Sequence, residues 1–206
     1  MLTDWYNCSR CDLHKNRKGP VKMCTNNNGK IMLILSESIP DDDRRKVFIE
    51  KVLENASESS LDSFDLAIVE VVGCDTGRGT ANLSNPFKDT TGLKPKEIGV
   101  CKPRIHHLID QVDPHLIIVS GAAAARSIGI VSGLKKMFET QEVREVEIPG
   151  HLIKIPRMVS AIPTINWLAN NFSRDPEGPT ANLVQLVRKI IDYSSLRDRL
   201  IGDKNQ

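Results

Sequence analysis

Short apolar runs, separated by polar segments, divide the chain into regular elements. The runs are rich in Leu, Ile and Val and end in polar or turn residues, a pattern typical of strands that are covered on both faces of a sheet. They occupy residues 29–37, 64–74, 115–121 and 151–162. The mostly charged segment 142–148 is also predicted to be a strand, with a turn at Pro149-Gly150 between it and the last run.

Between these runs, apolar residues recur at helical spacing. The predicted helices occupy residues 41–56, 94–112, 122–130 and 181–202, and Pro103 predicts a break in the second of them. Strands that alternate with helices predict an α/β fold, here a three-layer α/β/α sandwich with a central, mainly parallel sheet. A length of 206 residues suits a single domain that covers the whole chain, 1–206.

One charged residue interrupts the apolar run "FDLAIVEVVGC" near its end, and that residue is Glu70. Ligands of parallel sheets bind beyond the carboxyl ends of the strands. Glu70 is predicted to lie at such an end, as are Glu37, Ser120 and Ile162. A half-buried carboxylate needs a partner. For Glu70 the partner is either a bound ligand or the cation of an ion pair, Arg78 or a nearby lysine.

The composition limits the classes of function. Apolar residues make up 40% of the chain and charged residues 26%, as in a globular protein, and no apolar run reaches the roughly 20 residues of a membrane helix. The first residues lack the apolar core of a signal peptide, so we expect a cytoplasmic protein without membrane association. We also expect a monomer. A net charge of +2 is too small to indicate nucleic-acid binding, which would need a local basic face.

Five cysteines in a cytoplasmic chain suit a metal site better than disulfides. Cys8 and Cys11 form a C-x2-C pair whose sulfurs can face one metal, and Cys74 and Cys101 lie far along the chain. Four such thiolates suit either zinc or an iron–sulfur cluster. The alternative is a set of buried thiols without a metal. Cys24 is left over in either case.

Six motifs follow one another along the chain: "CSRCDLHKNRKGPV", "IMLILSESIP", "IVEVVGC", "KPKEIGVCKPRI", "HLIIVSGAAAARSIG" and "MVSAIPTINWL". Their order resembles that of the iron–sulfur uracil-DNA glycosylases, families four and five of that superfamily. The corresponding family motifs are C-x2-C-x-L, a strand with G-E-x-P-G, T-N-V-V-K-C, P-x-E-I-x-x-C, a strand with Gly and a small-residue helix, and His-Pro-Ser.

The resemblance covers Cys8 to Lys189, nearly the whole chain. It implies a three-layer α/β/α fold, binding to single- or double-stranded DNA, and flipping of the target base out of the stack. It also implies a 4Fe-4S cluster held by Cys8, Cys11, Cys74 and Cys101.

The pocket positions depart from the family. Glu37 matches the family's Glu, but the family's base-reading Asn falls on Glu70 and its His falls on Ile162. The long loop 75–93 carries "NPFKDTTG", which is similar to a Pro-Phe loop that the family has elsewhere. The residues implied for base binding are Ser38, Glu70, Phe87, Ile162, Thr164 and Asn166.

Glu37 is the implied catalytic residue. A carboxylate beside the sugar stabilises the positive charge that develops as a glycosidic bond breaks, and it orients the attacking water. The alternative for Glu37 is a solvated glutamate at a strand end.

Glu70 changes which bases the pocket can recognise. An ionised carboxylate only accepts hydrogen bonds, so it suits the amino group of cytosine better than O4 of uracil. If burial protonates the carboxyl group, it can also donate.

DNA binding needs cations for the phosphates and a side chain that fills the gap left by a flipped base. The candidates are Arg44, Arg45, Lys102 and Arg104 for the phosphates, and Ile165 and Trp167 for the gap. Each of them can instead be an ordinary surface or core residue.

We therefore expect a DNA glycosylase, an enzyme that hydrolyses the N-glycosidic bond of a flipped base and leaves an abasic site. Excision of ordinary cytosine would damage the host's own DNA. The expected substrate is therefore a modified, cytosine-type pyrimidine, such as those of some phage genomes, and the expected setting is anti-phage defence. The alternatives are an ordinary uracil-DNA glycosylase of base excision repair and a non-catalytic DNA-binding relative.

Overall fold

The structure is a computed structural model of the chain. It describes residues 5, 7–17, 19, 21, 27, 31–36, 66–74, 93–140, 142–148 and 157–164. The described strands are β1 (Ile31–Leu35), β2 (Leu66–Glu70), β3 (Leu116–Ser120), β4 (Arg144–Val146) and β5 (Arg157–Ile162). The described α-helices are α1 (Pro95–Val112), α2 (Ala122–Ser127) and α3 (Leu134–Glu139), and a 3-10 helix covers Asp12–Asn16.

The five described strands form one sheet in the order β2-β1-β3-β5-β4. β1 is parallel to β2 and β3, and β3 is parallel to β5, whereas β4 runs antiparallel to β5 at the edge. Every residue of β1 and β3 is buried, as expected for central strands with both faces covered. The prediction of an α/β fold with a mainly parallel sheet is confirmed.

The helices pack on this sheet and on each other. α1 packs against α2, α2 packs against β3 and β1, and α3 packs against β5. α1 can do so because its apolar residues recur every three or four positions. Its buried apolar residues are Ile98, Cys101, Ile105, Leu108, Ile109 and Val112. Among the described helices none is long and apolar enough to span a membrane.

The full three-layer arrangement remains a prediction. The two long helices that would complete it, predicted at 41–56 and 181–202, lie outside the described residues. The extent of the single domain, 1–206, also stays a prediction.

The predicted break at Pro103 is wrong, because α1 continues through it to Val112. Proline removes the N–H that would bond the carbonyl four residues earlier, here that of Gly99. Both residues are exposed, so water can solvate this carbonyl.

The sequence analysis does not predict α3, since six residues are too few to show helical periodicity.

Candidate functional site

The carboxyl ends of four strands meet in one row. Leu35 of β1 pairs with Glu70 of β2 and with Ser120 of β3, and Ser120 pairs with Ile162 of β5. Residues in register lie on the same face, and three strand spacings separate Glu70 from Ile162 by about 14 Å. Glu70, Ser120 and Ile162 thus lie at one edge of the sheet, as the sequence predicts.

Hydrogen bonds beyond the strand ends hold this edge together. The Ser36 N–H donates to the Ser120 carbonyl (3.0 Å), and the Ser36 hydroxyl accepts from the Ala124 N–H of α2 (2.9 Å). The Ser120 hydroxyl donates to the Pro163 carbonyl (3.0 Å). Ser36, which directly precedes Glu37 in sequence, therefore ties β1 to both β3 and α2.

Gly121 makes the close packing at this edge possible. Its φ of +82° lies in the region that favours glycine, and an added Cβ would stand 2.7 Å from Cγ2 of Thr164 and 2.8 Å from Oγ of Ser36. Thr164 is buried, so it is fixed against the turn between β3 and α2. Ile162 is also buried, and its apolar side chain offers no hydrogen bond to a ligand at this edge.

A second feature is a cavity lined by four cysteines: Cys8 and Cys11 of the N-terminal segment, Cys74 after β2, and Cys101 of α1. All four are free, without a disulfide bond. The structure thus brings together the cysteines that the sequence analysis groups as one site. The other lining residues are Trp5, Arg10, His14, Val21, Gly73 and Arg104.

The N-terminal segment reaches the cavity because it is anchored in the core. Leu13 and Val21 are buried in the same apolar cluster as Cys74 and Cys101. The Arg17 guanidinium donates to the Cys8 carbonyl (3.2 Å). Apolar burial on both sides of the C-x2-C pair therefore holds the two N-terminal cysteines beside the two later ones.

The two inner cysteines are poor thiolates on their own. Burial raises the pKa of the Cys101 thiol to about 11, and burial also raises the pKa of Cys74. Such thiols stay protonated at neutral pH unless a metal replaces the proton. The Gly73 main chain next to Cys101 and the Arg17 side chain next to Cys74 oppose this rise in pKa.

The residues around the cavity can be compared with known metal donor sets. Four cysteines line it, and four cysteine thiolates are the donor set of a 4Fe-4S cluster. Zinc takes the same four thiolates. In the part of the chain that the structure describes, no three His, Cys, Asp or Glu side chains are arranged so that they could hold a metal ion.

Arg104 lies between the cavity and the end of β2. Its guanidinium is only 1% exposed, lines the cysteine cavity, and donates to the carbonyls of Glu70 and, at 3.4 Å, Val71. Burial lowers the pKa of Arg104, and the charges of Cys101 and Glu70 oppose that change. The predicted contact of Arg104 with DNA is therefore wrong for this structure, because a buried guanidinium cannot reach a phosphate.

Sequence reasoning missed this role of Arg104, although a signal was present. Arg104 follows Cys101 by three residues, a spacing that puts both on one face of a helix. For Glu70, which is 7% exposed, the neighbouring cation in the described residues is Arg104. Arg78, the cation considered from sequence, lies outside them.

Eight further site predictions also fall outside the described residues. Among the predicted DNA contacts, Lys102 is described, and it lies partly exposed on α1. The eight predictions that the structure does not describe are Glu37, Ser38, Arg44, Arg45, Phe87, Ile165, Asn166 and Trp167.

The fold and the site define an α/β protein with a four-cysteine cavity next to the carboxyl edge of its sheet. No protein-family model matches the chain, and a comparison with curated proteins finds no match. The resemblance to the iron–sulfur uracil-DNA glycosylases therefore rests on the order of the sequence motifs.

Proposed function

We propose that this protein is a DNA glycosylase that holds a 4Fe-4S cluster and removes a modified, cytosine-type base from DNA. One observation carries the proposal: cysteines from three distant parts of the chain converge on a cavity directly beyond the strand that ends in Glu70. This is the combination of cysteines and strand ends on which the resemblance to the iron–sulfur uracil-DNA glycosylases depends.

The cluster would have a structural role. Bound to Cys8, Cys11, Cys74 and Cys101, it would cross-link the N-terminal segment to β2 and α1, and it supplies no electron to the hydrolysis of a glycosidic bond. The partly buried Cys8 and Cys11 pack against the apolar core that contains Cys74 and Cys101. The protein fold around the cavity therefore already supports the cross-link that the cluster would complete.

Glu70 is the proposed reader of the base. Its carboxylate is buried at the carboxyl edge, where ligands of parallel sheets bind. Arg104 lies close by and donates to the main-chain carbonyl of Glu70. An ionised carboxylate accepts a hydrogen bond from the exocyclic amino group of a cytosine-type base and is mismatched with the O4 acceptor of uracil.

Glu37 is the proposed catalytic carboxylate. It follows Ser36, which is hydrogen-bonded to β3 and α2 at the carboxyl edge. A carboxylate there would stabilise the oxocarbenium-like sugar as the base departs and would orient the water that attacks the sugar carbon. The departing base finds no side-chain donor on Ile162. Thr164, buried at the same edge, is a candidate donor in its place.

The test is incubation of the purified, iron-loaded protein with duplex and single-stranded oligonucleotides that carry uracil, cytosine or a 5-substituted cytosine. Abasic sites are detected by strand cleavage in alkali. We expect cleavage at a 5-substituted cytosine and visible absorption typical of an iron–sulfur protein. The Glu37→Gln variant should bind the same DNA but cleave orders of magnitude more slowly, because it lacks the charge.

The outcomes separate the competing functions. Cleavage at uracil alone would make the protein an ordinary uracil-DNA glycosylase and would overturn the role of Glu70. Binding to every oligonucleotide without any cleavage would favour a non-catalytic DNA-binding protein. The buried, apolar Ile162 at the position of the family's His is the observation that favours this second candidate.

A further inference from the structure

Arg104 contacts both the cysteine cavity and the end of β2, where Val71 and Glu70 precede it by 33 and 34 positions in the chain. The same guanidinium lines the cysteine cavity and donates to the main-chain carbonyls of Glu70 and Val71. Because it is almost completely buried, water does not screen either interaction. A change in the charge or shape of the cavity can therefore affect the position of the end of β2 through this one side chain.

The charge of Arg104 also needs an explanation. A buried guanidinium is costly unless negative charge balances it. Glu70 lies at the end of β2, where the guanidinium donates to its main-chain carbonyl. Four thiolates on a cluster carry a net negative charge, so filling the cavity would add negative charge on the other side of the same guanidinium.

The two carbonyls that Arg104 binds lie where the β2 ladder ends. The Val71 N–H still donates to the Leu35 carbonyl of β1 (2.9 Å), one residue after the last paired position of β2. The carbonyls of Glu70 and Val71 are held by the guanidinium. Arg104 therefore fixes the main chain from which the Glu70 carboxylate projects.

We propose that Arg104 is a positioning residue that couples the cysteine site to Glu70, so that a bound cluster orders the base-reading end of β2. The guanidinium balances the cluster's charge on one side and holds the Glu70 main chain on the other. The cluster and the base are those of the proposed function, on which this inference rests. The coupling itself is measurable without any DNA.

The first measurement is the midpoint potential of the iron-loaded protein. A positive charge near a cluster favours its reduced, more negative state, so Arg104→Met should shift the potential to more negative values. Arg104→Lys keeps the charge and should stay close to the parent protein. The matched control is Arg10→Met. Arg10 lines the same cavity but is exposed and stacked on Trp5 at 4.1 Å, so solvent screens its charge.

The second measurement is amide hydrogen exchange of the parent protein with iron and after its removal by chelation. Loss of iron should speed exchange at Val71 and Gly73, while amides in the middle of β3 and β5, such as Val119 and Ala161, stay protected. Both hydrogen bonds come from Nη2 at the far end of the guanidinium, and the lysine side chain of Arg104→Lys is shorter. The lysine should therefore hold the two carbonyls less well, and the difference in exchange between the iron-loaded and iron-free variant should be smaller than in the parent protein.

Two results would overturn the coupling. One is a potential for Arg104→Met within error of the Arg10→Met control. The other is faster exchange spread equally over β2, β3 and β5 on iron removal, which would mean a general loss of stability. If Arg104→Met fails to fold, hydrogen exchange in the Arg104→Lys variant and in the parent protein still tests the coupling. Failure of the proposed function alone would leave the potential and exchange shifts in place, with no abasic sites formed.

Discussion

Glu70 is the charged residue in a row whose other members are Leu35, Ser120 and Ile162. A carboxylate buried among such neighbours is costly unless a charge or a donor balances it. The charge of Arg104 provides part of that balance. In the proposed function, the amino group of the bound base would supply a further donor to this carboxylate.

Glu70→Gln should lower activity on the preferred cytosine-type base relative to the parent protein. The amide keeps the length of the side chain but removes the negative charge and adds a donor that faces N3 of the base. A good base contact discriminates by about 1–3 kcal/mol, or roughly 5- to 150-fold in rate. Single-turnover cleavage of that oligonucleotide measures the loss.

The matched control for this substitution is Glu139→Gln at the exposed end of α3, where the carboxylate pairs with Lys135 at 3.5 Å. It should cleave like the parent. Equal rates for Glu70→Gln and the control would identify Glu70 as a structural partner of Arg104.

Cys74→Ser should lose iron. The hydroxyl is close in size to the thiol, so packing in the apolar core is nearly kept, but a serine is a poor ligand for iron. We expect both the iron content and the visible absorption of the purified protein to fall. Cys24→Ser, at the cysteine left over from the proposed ligands, should keep the iron of the parent. A soluble Cys74→Ser protein with full iron would remove Cys74 from the ligand set.

At the level of elements, the junction of β3 and α2 determines how tightly the carboxyl edge closes. α2 begins with four buried alanines, whose small side chains let the helix lie close to β1 and β3. Gly121 precedes them and leaves no room for a side chain beside Ser36 and Thr164. Any enlargement here should therefore displace the edge at which the proposed substrate binds.

Gly121→Ala should destabilise the protein by about 1–3 kcal/mol, as overpacking of a tight site does. The positive φ of Gly121 adds strain to the clash. Urea unfolding followed by circular dichroism measures the change in midpoint.

The matched control is Gly99→Ala in α1, where an added Cβ meets nothing within 4 Å. That substitution should be neutral or stabilise by up to about 1 kcal/mol, because alanine favours a helix. An unchanged midpoint for Gly121→Ala would mean that the junction can relax.

The elements also show which features of the fold and the site could be predicted from the sequence alone. β1 and β3 are apolar throughout because both faces are covered, so their positions and the parallel sheet are predictable. The grouping of the four cysteines could be predicted from their order in a family pattern. The role of Arg104 was harder to predict. Its spacing of three residues from Cys101 places both on one face of α1, but the fold is needed to show that this face is buried.

At the scale of the whole molecule, the charge is nearly balanced. A net charge of +2 on 206 residues gives little long-range attraction to DNA. The proposed binding to DNA would therefore depend on a few cations near the site. With Arg104 buried, Lys102 is the described residue that keeps this predicted role, one residue beyond the cavity-lining Cys101.

Lys102→Ala should weaken the salt dependence of DNA binding. Each phosphate contact contributes about 0.9 to the slope of log K against log salt for duplex DNA and about 0.7 for a single strand. Loss of one contact should therefore reduce the slope by about this amount, with little change between DNA sequences. Fluorescence anisotropy with an oligonucleotide that lacks the target base measures the slope without any cleavage.

The control is Lys136→Ala, which removes an exposed lysine on α3 and should keep the parent slope. If Lys102→Ala also keeps it, Lys102 is an ordinary surface lysine and the DNA contacts lie elsewhere on the molecule.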